Sequence, residues 1–397
     1  MDIRGKRAGE LAGIEFACNC GMTHKVDIEK VAIGPDMLPQ AAAWINALAP
    51  GKVVLVYDEV IAPIAGDALH ALIPGSEAVV LQNRHGLPLA PDESNIGELL
   101  VRVPADARFL LAVGSGVIND LTRHVSYKMG IPYAIFATAP SMDGYASVTS
   151  SLIVRNVKQT ILGQMPKAIF ADTAILGASP AIMLAAGFGD VLGKRNAIRE
   201  WHFAREYLGE HYCPVMADLV MDAVALCEAH AEGLPKREPA AVEAVMEALV
   251  LAGMVMGMYR NTRPASGAEH HMVHYWDVDC IRRGVEHPLH GISVGVGTGI
   301  ACRLYDLVAD RLPVETGKLD ADAIEAMLRK AGCPVLPTEL DISEDLFVEG
   351  IRKGHTMSAK YTVLTYLAQK NPDLLEEAAQ ALARHYYHGN LEDAGKR

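Results

Sequence analysis

Short apolar runs alternating with amphipathic stretches organise the first half of the chain. KVVLVY (52–57), AVVLQ, FLLAV (109–113) and YAIFA (133–137) read as buried strands. Between them, Ile61 to Leu72 and NDLTRHVSYKMG carry apolar residues at helical spacing, and the second stretch stops at Gly130. Strand–helix alternation of this kind predicts a largely parallel sheet covered on both faces. SLIVRN, KQTIL and KAIFAD predict further strands that close the region near Asp172. Beyond it the period changes. ASPAIMLAAGFGDVLGKRNAIREWHFAREYL, VMADLVMDAVALCEAHAEG and AAVEAVMEALVLAGMVMGMY all show helical spacing, as do PVETGKLDADAIEAMLRKAG and DLFVEGIRKG. The expected architecture is therefore α/β: a Rossmann-like, mostly parallel sheet domain over 1–172, then an all-helical domain over 173–397. Methionine stripes in the helical part read as core packing.

Composition narrows the class. Half of the 397 residues are hydrophobic and 21% charged, the profile of a globular protein rather than a disordered one. A formal charge of −12 lacks the basic footprint that nucleic acid needs, although local cations could still hold an anionic small substrate. No apolar run is read as reaching the ~18 residues of a membrane span, and MDIRGKRAGELAG has no signal-peptide core. A cytoplasmic location is expected. Of seven cysteines only Cys18 and Cys20 are close; a zinc knuckle would need a second such pair, so free thiols are expected.

Candidate chemistry concentrates in RPASGAEHHMVH (263–274). His270 and His274 are four residues apart and share a helix face, whereas His271 is turned about 100° away. His290 follows in HPLHGISVGVGTG, and Asp190 precedes both in AAGFGDVLGK. Two imidazoles and a carboxylate from separate segments form a three-ligand set for a divalent metal that keeps an open position. The competing reading is ordinary polar residues in a chain with 15 histidines. In the first half, VGSGVIND follows a strand and opens a helix, where Gly114, Ser115 and Gly116 allow backbone N–H groups near a pyrophosphate. It is not the G-x-G-x-x-G fingerprint, because Asn119 stands where the third glycine would be. Asp58, at a strand end, suits either a ribose diol or a turn cap, and TAPSMDGYAS supplies polar groups at another strand end.

In this order, YDE, GSGVINDLTR, TAPSMDGYAS, AAGFGD, RPASGAEH and LHG resemble the sn-glycerol-1-phosphate dehydrogenases, most of all their bacterial branch. These are metal-dependent polyol dehydrogenases of the iron-containing alcohol dehydrogenase superfamily. The resemblance runs over about residues 50–300. It implies Asp190, His270 and His290 as metal ligands. It implies Gly114, Ser115, Gly116, Val117, Ile118, Asn119 and Asp120, with Thr138, Ala139, Pro140 and Ser141, as the lining of NAD or NADP. Asp58 would meet the adenosine ribose, with Ser147 nearby. Asp143 and His274 would contact the polyol. Superfamily members that use iron often add a histidine four residues after the aspartate; Lys194 stands there, so three protein ligands are expected. Dehydroquinate synthases have glutamate where Asp190 stands, which favours the dehydrogenase branch.

The implied reaction is hydride transfer between NAD(P)H and dihydroxyacetone phosphate, with zinc, nickel or iron as Lewis acid. His274 would bind a substrate hydroxyl or relay a proton. Arg263 and Lys194 are candidate cations for the substrate phosphate, with His271 assisting. A homodimer is expected from the resemblance. Rival readings are a dehydroquinate synthase-like lyase using NAD transiently, another polyol dehydrogenase, and a non-catalytic dinucleotide- and metal-binding protein.

Overall fold

The computed structural model describes residues 3–83 and 89–389. Its strands are β1 (Glu15–Ala17), β2 (Thr23–Lys25), β3 (Lys30–Gly34), β4 (Val53–Asp58), β5 (Glu77–Leu81), β6 (Phe109–Gly114), β7 (Tyr133–Ala137), β8 (Thr149–Val154), β9 (Val157–Leu162) and β10 (Ala168–Asp172). Six of them form one parallel sheet in the order β3-β10-β7-β6-β4-β5. The middle strands β6, β7 and β10 are buried along their whole length, as expected of continuous apolar runs covered on both faces.

Three local readings change. The edge strand β3, KVAIG, is short and only partly buried, so its sequence carries little strand signal. SLIVRN and KQTIL do not extend the sheet. They pair with each other as the antiparallel hairpin β8–β9, turning at Arg155 and Asn156, which both have positive φ. Both strands keep exposed or half-buried positions, which suits an antiparallel pair with one wet face. Ile61 to Leu72 is not one regular helix: a wide π turn over Ala62–Gly66 precedes a short α-helix, Asp67–Leu72. Gly66 lies against the Tyr57 ring, where a Cβ would be 2.7 Å from ring carbons.

Six helices matter for the site: α1 (Gly116–Met129), α2 (Ala181–Leu208), α3 (Pro214–Ala229), α4 (Pro239–Tyr259), α5 (Ala268–Arg283) and α6 (His290–Val308). By length and composition α4 and the stretch His290–Arg311 could cross a membrane, contrary to the expectation that no segment would pass that test. In the fold, 94% and 78% of those apolar windows are buried, so both are interior helices of the helical layer. One core runs from the sheet into that layer, joining Ile135, Phe188 and Val245. The first residues, read from sequence with the sheet, lie against the helices: Arg7 pairs with Glu243 and Ala8 N–H donates to Glu247.

Candidate active site

Helix α2 presents Asp190 fully buried, α5 presents His270, and His290 is the first residue of α6. One ligand atom from each lies within 4.8 Å of the others. Glycines permit this convergence. A Cβ on Gly291 would overlap the Ala186 carbonyl, and one on Gly189 would overlap the Gly291 carbonyl, so α2 and α6 touch backbone to backbone beside both ligands. Gly187 likewise admits the Pro140 carbonyl, bringing the loop after β7 onto α2.

The imidazoles are prepared as neutral ligands. Burial holds His270 and His290 well below the usual histidine pKa, helped by Lys194 and Lys158 respectively. Glu269 Oε1 accepts from His270 Nδ1 (2.8 Å), which leaves Nε2 facing Asp190. Glu269 is itself fixed by the Gly267 N–H (2.6 Å) and by Asn196 Nδ2 (2.5 Å). His290 Nδ1 is buried without a hydrogen-bond partner among the described residues. A carboxylate and two neutral imidazoles, one with an orphaned nitrogen, fit a divalent ion.

His274 lies beside them, its ring centroid 6.3 Å from His270 and 5.9 Å from His290. Burial, then Lys158, pushes its pKa down to about 4. Lys158 on β9 bonds Asp277 (2.7 Å), tying the β8–β9 hairpin to α5 beneath these rings.

The loop after β7 reaches the same place. Asp143 N–H donates to Asp190 Oδ2 (2.9 Å), and Lys194 Nζ bridges Asp190 Oδ1 (2.6 Å) and Asp143 Oδ2 (2.7 Å). Burial opposes the lysine charge, but Asp143 and Asp190 outweigh it and hold its pKa above the ordinary value. Burial and Asp143 press the Asp190 pKa upward, with Lys194 pulling the other way.

At the opposite end of this loop, Thr138 N–H bonds the Gly114 carbonyl (3.1 Å), joining it to the β6–α1 turn. Ser115 is the N-cap of α1, and Gly114 and Gly116 have no room for a Cβ against Ile118 and Met142. The backbone of Gly116, Val117 and Ile118 therefore forms a helix N-terminus at the sheet's carboxyl edge. Asn119 and Asp120 point inward: Asn119 Nδ2 meets the Gly144 carbonyl (3.4 Å), and Asp120 pairs with buried Arg123 (2.8 Å) and accepts from Ser151 N–H (3.1 Å). Ser147 Oγ bonds Thr149 Oγ1 (3.0 Å), and Tyr145 OH bonds the Ala139 carbonyl (2.5 Å). Ser141 lies in the same loop, half-buried. Asp58 Oδ1 accepts from Val60 and Ile61 N–H (3.0 and 2.8 Å), the turn-capping arrangement, so only its second oxygen is uncommitted.

The two cations expected to meet a phosphate are engaged elsewhere. Lys194 is fully buried between two carboxylates, as above. Arg263 is 1% exposed rather than a surface charge; its Nε faces Glu210 as an ion pair (2.9 Å) and its Nη2 donates to the Tyr361 carbonyl (2.6 Å), leaving Nε and Nη1 without a hydrogen-bond partner among the described residues. What sequence reasoning missed is the neighbour of that carbonyl, Lys360. The residue is half-buried with its ammonium turned inward, where it donates to Ser266 Oγ (2.6 Å) and has no carboxylate partner among the described residues. Burial, then Arg263, lowers its pKa to about 7. His271, buried and acted on by the Lys360 charge, has both ring nitrogens unpartnered. Glu200 accepts from Val363 N–H (2.9 Å), so Arg263 and Glu200 together position the segment bearing Lys360.

A helix N-terminus at the carboxyl edge of a parallel sheet thus meets a carboxylate–imidazole cluster, and residues 32–180 match the iron-containing alcohol dehydrogenase family. Solved structures agree on the fold. They include a sulfoacetaldehyde reductase from Bifidobacterium kashiwanohense in complex with NAD+ (TM-score 0.70, 15% identity, covering 91% of this chain and 98% of that one). A probable glycerol dehydrogenase from Sinorhizobium meliloti 1021 gives 0.67 and 19%, over 89% and 96%. Among curated relatives, glycerol-1-phosphate dehydrogenase [NAD(P)+] of Bacillus licheniformis is 33% identical over 89% of this chain and 92% of its own. That of Geobacillus stearothermophilus is 32% identical over 90% and 97%. The chain belongs to the glycerol-1-phosphate dehydrogenase family.

Proposed function

We propose that this protein interconverts sn-glycerol 1-phosphate and dihydroxyacetone phosphate with NAD(P) as the redox partner. The observation that carries it is the bond from Asp143 N–H to Asp190, which brings the nucleotide-side loop and the metal set into one centre. On this reading residues 1–172 hold the dinucleotide and residues 173–397 the metal. Gly114 to Ile118 and Thr138 to Ser141 line the cofactor, with Ser147 nearby and Asp58 on the ribose, while Asn119 and Asp120 brace that turn from inside instead of lining it as the resemblance implies. Asp190, His270 and His290 would hold a divalent ion, which would supply Lewis acidity when bound, and NAD(P) would supply the hydride acceptor or donor.

The remaining work belongs to this chain's own side chains. Glu269 keeps His270 in the tautomer with Nε2 free. Lys194 offsets the charge of the two carboxylates, and Asp143 accepts hydrogen bonds from the polyol hydroxyls. His274, neutral across the working range, takes a hydrogen bond from a substrate hydroxyl and passes its proton towards solvent. Lys360, with His271, receives the phosphate. The donor set suits zinc, nickel or ferrous iron. A homodimer in the cytoplasm completes the reading, tested for assembly by sedimentation.

The decisive test is steady-state oxidation of NADH by dihydroxyacetone phosphate, run on metal-stripped and reloaded enzyme. Stoichiometric NADH loss with stereospecific formation of the 1-phosphate is expected. Turnover without net NADH change would replace this reading with the lyase one.

A further inference from the structure

A second group of metal-type donors shares no residue with the Asp190–His270–His290 set. Cys18, Cys20, His24 and Cys213 place one ligand atom each within 4.8 Å of one another. Cys18 and Cys20 flank the turn of the β1–β2 hairpin, which closes through Cys18 N–H to the Met22 carbonyl (2.9 Å) and uses Gly21 at φ +90°. His24 on β2 is fully buried. Cys213, also fully buried, is the N-cap of the sixteen-residue helix α3. Cys18 and Cys20 have no second close cysteine pair; the further donors are instead a histidine on the next strand and a cysteine 195 residues beyond Cys18.

The distances are those of a coordination shell rather than of a bond or a random cluster. Cys18 Sγ and Cys213 Sγ are 3.7 Å apart, and His24 Nε2 lies 3.4 Å from both Cys20 Sγ and Cys213 Sγ. Ligands at about 2.3 Å (sulfur) and about 2.0–2.1 Å (nitrogen) from a tetrahedral zinc are separated by about 3.8 Å for S···S and about 3.6 Å for S···N. A disulfide would need its sulfurs at about 2.0 Å, and all seven cysteines are unbridged. The histidine is also prepared. Its Nδ1 contacts the Met258 carbonyl (3.1 Å), which fixes the proton there and leaves Nε2 as the donor. His211 Nε2 at the Cys20 carbonyl (2.8 Å) braces the turn from outside.

We propose that Cys18, Cys20, His24 and Cys213 bind a structural zinc ion that fastens the N-terminal hairpin to helices α3 and α4. Four protein ligands close the shell, so this ion has no open position for substrate. Its role is a clamp between segments about 190 residues apart, in a protein whose catalytic metal is a separate ion.

The two sites differ in sulfur, and that makes the test selective. Full-length protein purified under reducing conditions is analysed for metals and reconstituted with Co2+. The expected result is one chelator-resistant zinc per chain and an intense thiolate-to-cobalt charge-transfer band in the near ultraviolet, which a carboxylate–imidazole site cannot give. Cys20→Ser and Cys213→Ser should lose that zinc and that band and lower Tm, while Cys227→Ser, whose buried thiol faces the Ala244 carbonyl, keeps both. Absence of the band in unaltered protein overturns the proposal, even if the serine variants fail to fold. Unchanged zinc content in folded Cys213→Ser, or a Cys18–Cys213 disulfide in the reduced preparation, does the same.

Discussion

Lys360→Ala tests how an acidic protein holds a phosphorylated three-carbon substrate. Among the described residues the ammonium has one hydrogen-bond partner, Ser266 Oγ, and no carboxylate that would have to be displaced. A charge-assisted hydrogen bond to phosphate contributes about 1.5–3 kcal/mol, so its loss should lower kcat/KM for glycerol 1-phosphate by roughly 10- to 150-fold. Glycerol lacks the phosphate and should change by less than about threefold. Acidity gives a second readout. Burial and Arg263 depress the Lys360 pKa from 10.5 to about 7, so the cation is present below pH 7 and is lost as pH rises through it. In the unaltered enzyme kcat/KM for the phosphorylated substrate should therefore fall above pH 7 by up to about tenfold per pH unit, until the contact is gone. Lys360→Ala should abolish that limb, and Lys360→Arg should move it out of the accessible range. The assay is NAD(P)H absorbance with both substrates from pH 6 to 9, with Tm as a check on folding. Equal losses on glycerol and glycerol 1-phosphate, or a limb that survives in Lys360→Ala, would refute the reasoning.

His270→Ala and His290→Ala should each lose the catalytic metal and activity together, because two protein ligands hold it poorly. His271→Ala should keep the metal and raise KM for the phosphorylated substrate, with metal analysis and kinetics separating the two. Glu269→Gln removes the carboxylate acceptor of His270 Nδ1 and should weaken metal affinity by about 10- to 100-fold, read by competition with a chelator. Asp58→Ala should reduce discrimination against NADP, since its free oxygen would meet the 2′-phosphate; unchanged kcat/KM ratios for the two cofactors would confine Asp58 to its turn. Gly291→Ala drives a Cβ into the Ala186 carbonyl and should cost at least about 1–3 kcal/mol of stability in urea unfolding, with metal binding impaired as α2 and α6 separate.

The parts legible in the sequence are those whose physics is local. Strands β4, β6, β7 and β10 are continuous apolar runs because both faces are covered, and that pattern survives without knowledge of neighbours. His270 and His274 share a face because the helix repeat requires it. The edge strand β3 was missed because exposure at the sheet margin mixes polar residues into a short run. The β8–β9 hairpin was assigned to the sheet because a strand's propensity does not state its partner; Arg155 and Asn156 were the local sign of a tight turn.

Charge is where local reading failed most instructively. Lys194 and Arg263 were selected because they stand near metal ligands in sequence, yet a cation near a buried carboxylate in sequence is the one most readily neutralised by it. Lys194 is bonded to Asp190 one helical turn away, and Arg263 is held by Glu210. A cation left for a ligand must instead come from a segment whose carboxylates are elsewhere, and Lys360 arrives from 94 residues beyond Ser266, its one bonded partner among the described residues. The same reasoning applies to Cys18 and Cys20. Their spacing shows half a site, and the completing donor, Cys213, sits at the start of a helix that only the packing of α3 against α4 brings to the hairpin. In this chain both candidate ligand sets are assembled across the fold, each joining residues of one segment to donors from distant ones.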